Sequence, residues 1–209
     1  MTDATTPRLP LAGIRVIELG QLLAGPFTGT LLAYFGAEVI KVEPPGGDPI
    51  RGWRKLDENG TSFWWRSLGR NKKCVTIDLK QAAGIELVRK LIDKHGITEI
   101  VHFAGSIVVP ESISDPLNYY ENNTENTRRL LAAAVKAGID KVIFSSTAAV
   151  YGLPDKPLPV REDAPLRPES PYGQSKLMSE MMLRDTARAH GLCYVALRYF
   201  NVAGADVKG

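Results

Sequence analysis

The sequence is short of the features that would assign a protein quickly. Its 209 residues include two cysteines, Cys74 and Cys193, far apart and in no CxxC arrangement. Neither has a histidine at metal-ligand spacing, so no disulfide framework and no metal site is expected. The two thiols read as free and buried, in a reducing compartment. No apolar run approaches the length of a membrane span, and the opening MTDATTPRLPLAG lacks the charged-then-apolar order of a secretion signal. Charge of one sign is scarce as well. The net charge is +3 and no lysine/arginine run could track a phosphate backbone, which argues against nucleic acid as a partner. What remains is a cytoplasmic, soluble globular protein, with 44% hydrophobic and 23% charged residues and length enough for one well-buried domain.

What the chain does have is alternation. Short β-branched runs stand at 14–19, 38–43, 74–79, 99–105, 141–146 and 193–200, with helical patterns between them. Pro26 and Gly36 bracket the first helix, and Ile85, Val88, Leu91 and Ile92 form one apolar stripe closed by Gly96. Asp115-Pro116 opens a long helix that ends at Gly138, and Ser170-Pro171 opens another. Six strands alternating with helices predict a doubly wound, mainly parallel Rossmann-like sheet, a three-layer αβα domain spanning 1–209. One stretch breaks the rhythm. Residues 44–73 are rich in glycine, proline and charge, and too long for an ordinary connection, so they read as an insertion with a purpose.

Chemistry enters at SPYGQSKLMSE, residues 170–180. Tyr172 and Lys176 are four apart and share a helix face. A phenol titrates near ~10 and is a poor base at neutral pH, but an adjacent ammonium and a helix N-terminus both favour its ionised form. FSSTAAVYG puts Ser145, Ser146 and Thr147 at the carboxyl end of the fifth strand. HFAG and RYFNVAG stand at the ends of the fourth and sixth, and ligands of open parallel sheets bind along that edge.

From about 94 to 209 the chain resembles UDP-glucose 4-epimerases of the extended short-chain dehydrogenase/reductase family. The resemblance rests on HFAGSIVVPES, YYENN, FSSTAAVYG, RPESPYGQSKLMSE and LRYFNVAGA, in order and at the family's spacing. It implies an isomerase with NAD as cofactor and a nucleotide-sugar substrate. Tyr172 would be the acid/base on the sugar 4-hydroxyl, Thr147 would bond the same oxygen, and Lys176 would bind the nicotinamide ribose. Phe103, Ala104, Gly105, Asn122 and Ser145 would line the cofactor and Asn201 would meet the nucleotide sugar. Ile107 departs from the family, which often has lysine there. A homodimer through the helices at 116–137 and 171–190 is also implied, as is a C-terminal substrate domain after YFNVAGA.

Such a site needs a glycine turn after strand one to cradle the dinucleotide's phosphates. ELGQLLAGPFTGTL offers Gly20, Gly25 and Gly29 at intervals of five and four, which is not the dinucleotide fingerprint. Glu43, at the end of strand two, does lie about the usual ~20 residues beyond the first glycine, where an acid takes ribose hydroxyls. The region from about 9 to 92 resembles instead the start of class III CoA-transferases, the group of formyl-CoA transferase and α-methylacyl-CoA racemase. That resemblance rests on LAGIRVIELGQLLAGPFTGTLLAYFGAEVIKVEPPGGDPIRGW and GRNKKCVTIDLK. It implies a CoA-ester groove touched by Leu23, Ala24, Asn71, Lys72 and Lys73. The family's catalytic aspartate falls outside the matched stretch.

The chain thus reads as a hybrid, with its seam in RKLIDKHGITE (89–99). Three functions are open: NAD-dependent 4-epimerisation of a UDP-sugar, binding or transfer of a CoA ester, and a recombined fold without catalysis. Trp53, Phe63, Trp64 and Trp65 in the long insertion are expected to stay partly exposed and to promote self-association. Sedimentation at rising protein concentration checks this, and a single sharp monomer boundary at high concentration contradicts it.

Overall fold

The computed structural model describes residues 9–153 and 159–200. The chain divides into two compact units, 1–97 and 98–209, with the boundary inside the expected seam. Each unit is built on its own parallel three-stranded sheet with flanking helices, so the Rossmann-like α/β class follows the alternation in the sequence.

In the first unit, β1 (Arg15–Glu18), β2 (Glu38–Glu43) and β3 (Lys72–Thr76) pair in that order, with β2 central. Strand alternation sends Val16 and Val39 to one face, where they pack with Ala33 and Ala37 around α1 (Ala24–Tyr34). Ile17 and Val42 face the other way, onto Val88, Leu91 and Ile92 of α3 (Ala82–His95). The α3 stripe and its left-handed Gly96 stop are as the pattern predicts.

The face under α1 also carries charge. Glu18 pairs in register with Lys41, and Lys72 aligns with Val39 on the same face. Lys41 Nζ lies 2.8 Å from both Glu18 and Asp48, and Lys72 Nζ lies 2.7 Å from Glu18, with all four side chains 4% exposed or less. Two carboxylates and two ammoniums close a neutral buried cluster, the condition for ions to persist in a core. The long insertion supplies part of it. Asp48 caps the 3-10 turn Pro49–Gly52, and Arg51 forms a two-pronged bond with Glu43 while stacking 3.6 Å over Trp65. Ser62 caps α2 (Phe63–Leu68) and donates to the Trp53 carbonyl at 2.7 Å. Phe63 and Trp64 remain 50% and 45% exposed, as expected of them.

In the second unit, β4 (Glu99–His102), β5 (Lys141–Ser145) and β6 (Cys193–Leu197) pair in order around β5. Val142 and Phe144 bury against Leu131 of α6 (Asn126–Lys136) and Leu183 of α7 (Pro171–His190). The predicted helix from Asp115 to Gly138 is present as α5 (Pro116–Tyr119), a π-helical turn Tyr120–Glu125, and α6. A short α4 (Val109–Ser114), not expected, precedes it.

The six expected strands are present, three in each unit. One expectation needs correction. Both cysteines are exposed rather than buried. Cys193 opens β6 on the sheet face away from α6 and α7, where Val101, Ile143 and Val195 are also 45%, 41% and 52% exposed. Cys74 lies on β3, at the edge of its sheet.

Gly29 of α1 tests the buried cluster. A Cβ there would land on Glu18 Oε2 and come within 3.4 Å of Lys72 Nζ, whereas one at Gly52 meets open space. Gly29→Ala should cost about 3 kcal/mol in thermal or urea unfolding, because it pries apart a buried ion pair, while Gly52→Ala should be near neutral.

Candidate active site

The second unit gathers its reactive groups where α7 meets the carboxyl end of β5. Ser170 starts the helix, its Oγ accepting from the Gly173 amide at 3.1 Å. Gly173 is buried, and a Cβ there would come within 2.8 Å of the Ala149 carbonyl and 3.0 Å of Pro168. Glycine therefore lets the first turn of α7 settle on the 3-10 turn Ala148–Val150. Thr147 caps that turn, accepting from the Ala149 amide at 3.2 Å. Tyr172, next to this contact, is half-buried, and its hydroxyl takes no protein hydrogen bond among the described residues.

Lys176 lies one turn further along. Its Nζ donates to the Ser145 carbonyl at 3.1 Å and sits 5.0 Å from the Phe144 ring centroid, with the residue 3% exposed. It has no carboxylate partner among the described residues. Burial alone lowers its pKa to about 8, so the ammonium is largely kept at neutral pH. Gly105, in the loop after β4, makes room for it. A Cβ there would stand 3.2 Å from Lys176 Nζ and 3.0 Å from Asn123 Oδ1.

Two groups escape the sequence reading. Asn123, rather than the exposed Asn122, is the buried amide. Its Oδ1 accepts from the Ser106 amide at 2.7 Å, and its Nδ2 donates to the Ser106 carbonyl and to Ser175 Oγ. Asn122 donates to Ser106 Oγ at 2.8 Å. The second group is Glu180. It accepts from Ser146 Oγ and takes Arg198 in a two-pronged pair at 2.7 Å, and Arg198 also reaches the Tyr151 hydroxyl at 3.1 Å. Tyr172, Lys176 and Glu180 follow each other at intervals of four, so the same face that pointed to the first two could have pointed to the third. His102 lies beneath, 3.0 Å from Thr127 Oγ1, and burial then the Lys176 charge bring its pKa to about 4. Phe103 and Ala104 precede Gly105 at the end of β4. Asn201 lies outside the described residues.

The first unit treats its expected ligand residues differently. Glu43 is buried and gives both oxygens to Arg51, at 3.1 and 2.7 Å. Lys72 points inward, its Nζ donating to the Pro26 carbonyl at 2.7 Å beside Glu18, and burial lowers its pKa. Lys73 points outward and pairs with Glu38. The period of two along β3 separates these neighbours onto opposite faces, so they do not line one groove. Leu23 and Ala24 stand exposed at the start of α1, and Asn71 enters β3 with φ 59°.

Comparison with known proteins decides the family. Residues 47–209 match the profile described as the NAD dependent epimerase/dehydratase family. The chain belongs to this family. It is 61% identical over 124 residues to the UDP-glucose 4-epimerase of Azospirillum brasilense, covering 59% of this chain and 35% of that protein. It also resembles the UDP-glucose 4-epimerase of Brucella ovis, solved in complex with NAD, at TM-score 0.68 and 35% identity, covering 94% of this chain and 54% of that one. A different name appears over 93 residues, where the chain is 56% identical to succinyl-CoA–D-citramalate CoA-transferase of Chloroflexus aurantiacus, covering 44% of this chain and 23% of that protein. The chain spans about a third of the length of the curated epimerases it matches and about half of the solved ones. Among the described residues no helix is long and apolar enough to cross a membrane.

Burial of Lys176 carries a stability signature. Its pKa falls from 10.5 to about 8, so between these values the unfolded chain binds the extra proton and the folded state gains stability as pH rises. Lys176→Met should therefore be more stable than the parent by ~2 kcal/mol at pH 7, the advantage fading as pH climbs from 8 to 10.5. Urea unfolding at several pH values measures this.

Proposed function

We propose that the second unit carries the acid–base half of a UDP-sugar 4-epimerase site that works with NAD. The observation behind this is the seat of Lys176, a buried ammonium on the Ser145 carbonyl one turn from Tyr172, with Gly105 leaving space beside it. The printed titles of the Brucella ovis and Bifidobacterium longum epimerase structures, which name NAD and, in the second, UDP, support the ligand class.

Lys176, Ser145 and Gly105 would hold the nicotinamide–ribose end. NAD, when bound, supplies a reversible oxidant for the sugar C4. The rest falls to this chain's own groups. Tyr172 takes the proton of the 4-hydroxyl and returns it, Thr147 bonds the same oxygen and orients it, and the Lys176 ammonium favours the charged phenolate. Asn201 is the proposed contact for the nucleotide sugar. In α6 and α7, Leu131 and Val135 line a shallow groove with Met182 and Thr186, which supports the proposal of a homodimer through these helices.

A second reading, CoA-ester binding by the first unit, is favoured by the match to the citramalate CoA-transferase. The inward turn of Lys72 removes one of its proposed contacts. The hybrid origin, class III CoA-transferase-like over about 9–92 and epimerase-like over about 94–209, is part of the same proposal, and full turnover is not expected of it.

Thermal unfolding with added ligand separates the readings. A ligand at a hundred times its dissociation constant stabilises by ~2.7 kcal/mol, a rise of roughly 5–10 °C for a domain of this size. A rise with NAD that Lys176→Met abolishes is the expected outcome. A response to acetyl-CoA alone moves the case to the second reading, and no response to NAD, UDP-glucose or acetyl-CoA leaves the recombined fold without catalysis.

A further inference from the structure

The turn between β1 and α1 is where a dinucleotide-binding fold presents backbone amides to phosphate, and here it is already engaged. Gly20 and Gly25 press together, since a Cβ on either would come within 3.0 Å of the other's Cα. Lys41 Nζ donates to the Gly20 carbonyl at 2.9 Å, and Lys72 Nζ to the Pro26 carbonyl at 2.7 Å. Leu22, at φ 63°, sits in a region that leucine rarely adopts. Its amide points at Asp48 Oδ1, 3.2 Å away, and the Ile50 amide donates to the same oxygen at 2.9 Å. The other Asp48 oxygen lies 2.8 Å from Lys41 Nζ, and the side chain is wholly buried.

Two backbone amides on one oxygen of Asp48 and an ammonium on the other make an anion seat. We propose that Asp48 is a built-in anion filling that seat, so that the first unit's β1–α1 turn does not take the pyrophosphate of a dinucleotide. The charge count supports it. Glu18 and Asp48 balance Lys41 and Lys72, so a phosphate brought here would be an unpaired anion beside two buried carboxylates. Burial pushes the Asp48 carboxyl up, but Lys41 and the two amides outweigh it and hold the group below its ordinary value. The carboxylate is therefore charged at neutral pH. This inference rests on the epimerase reading only for the identity of the excluded ligand.

The test uses the whole chain, labelled with nitrogen-15, and follows the Leu22 and Ile50 amides. Pyrophosphate, added at constant ionic strength against sodium chloride, should leave both unmoved in the parent protein. In Asp48→Ala the seat is vacated, and formate should shift both amides saturably and raise the unfolding temperature by several degrees where chloride does not. A saturable response of Leu22 to pyrophosphate in the parent overturns the inference, as does a folded Asp48→Ala that ignores formate. If Asp48→Ala does not fold, the parent titration still decides. With NAD, shifts confined to Gly105, Ser145 and Lys176 agree with both readings, and shifts reaching Leu22 overturn this one alone. Movement in neither unit agrees with the closed turn and counts against the epimerase reading.

Discussion

The candidate site depends on how α7 is held against the end of β5. Two successive turns of the helix reach the last residue of the strand and the one after it. Lys176 meets the Ser145 carbonyl, and Glu180 meets the Ser146 hydroxyl while clamping Arg198 beyond β6. With the helix fixed at these points, Gly173 lets its first turn come close to the Ala148–Val150 turn that Thr147 caps. A buried ammonium without a carboxylate is unfavourable for the fold. It persists because a carbonyl and an aromatic face partly replace water, and the cost is the kind that functional sites carry.

The first unit solves the opposite problem. It buries as many positive as negative groups under α1, and the balance makes the cluster self-sufficient. The same glycines that would have freed a turn for phosphate are used to let Glu18 and the Gly20–Gly25 contact fit. Two α/β units with the same alternation of elements thus put the carboxyl ends of their strands to different uses. One leaves a phenol and a hydroxyl open, and the other satisfies its polar groups internally.

Much of this was legible in the residues. The boundaries of β2, the Ser170 cap, the left-handed Gly96 and the shared face of Tyr172 and Lys176 all follow from local rules of period and capping. The π-helical turn at 120–125 was not legible, nor was the choice of Asn123 over Asn122 as the buried amide. A wider turn rotates the following side chains, and the pattern of apolar residues alone does not record that rotation. The pairings of Glu43 and Lys72 were not legible for a different reason. Their partners, Arg51 and Glu18, lie on other elements, and spacing along the chain carries no information about such pairs.

The sequence by itself determined the α/β class and the order of elements, and it carries the residues proposed for acid–base work. These depend on periodicity and on chemistry carried by single side chains. Tertiary structure alone decided which of the charged residues are paired and which of two neighbouring amides is buried. Those outcomes turn on which groups meet across space once water is excluded, where an unpaired charge is costly and a partner decides whether it stays available.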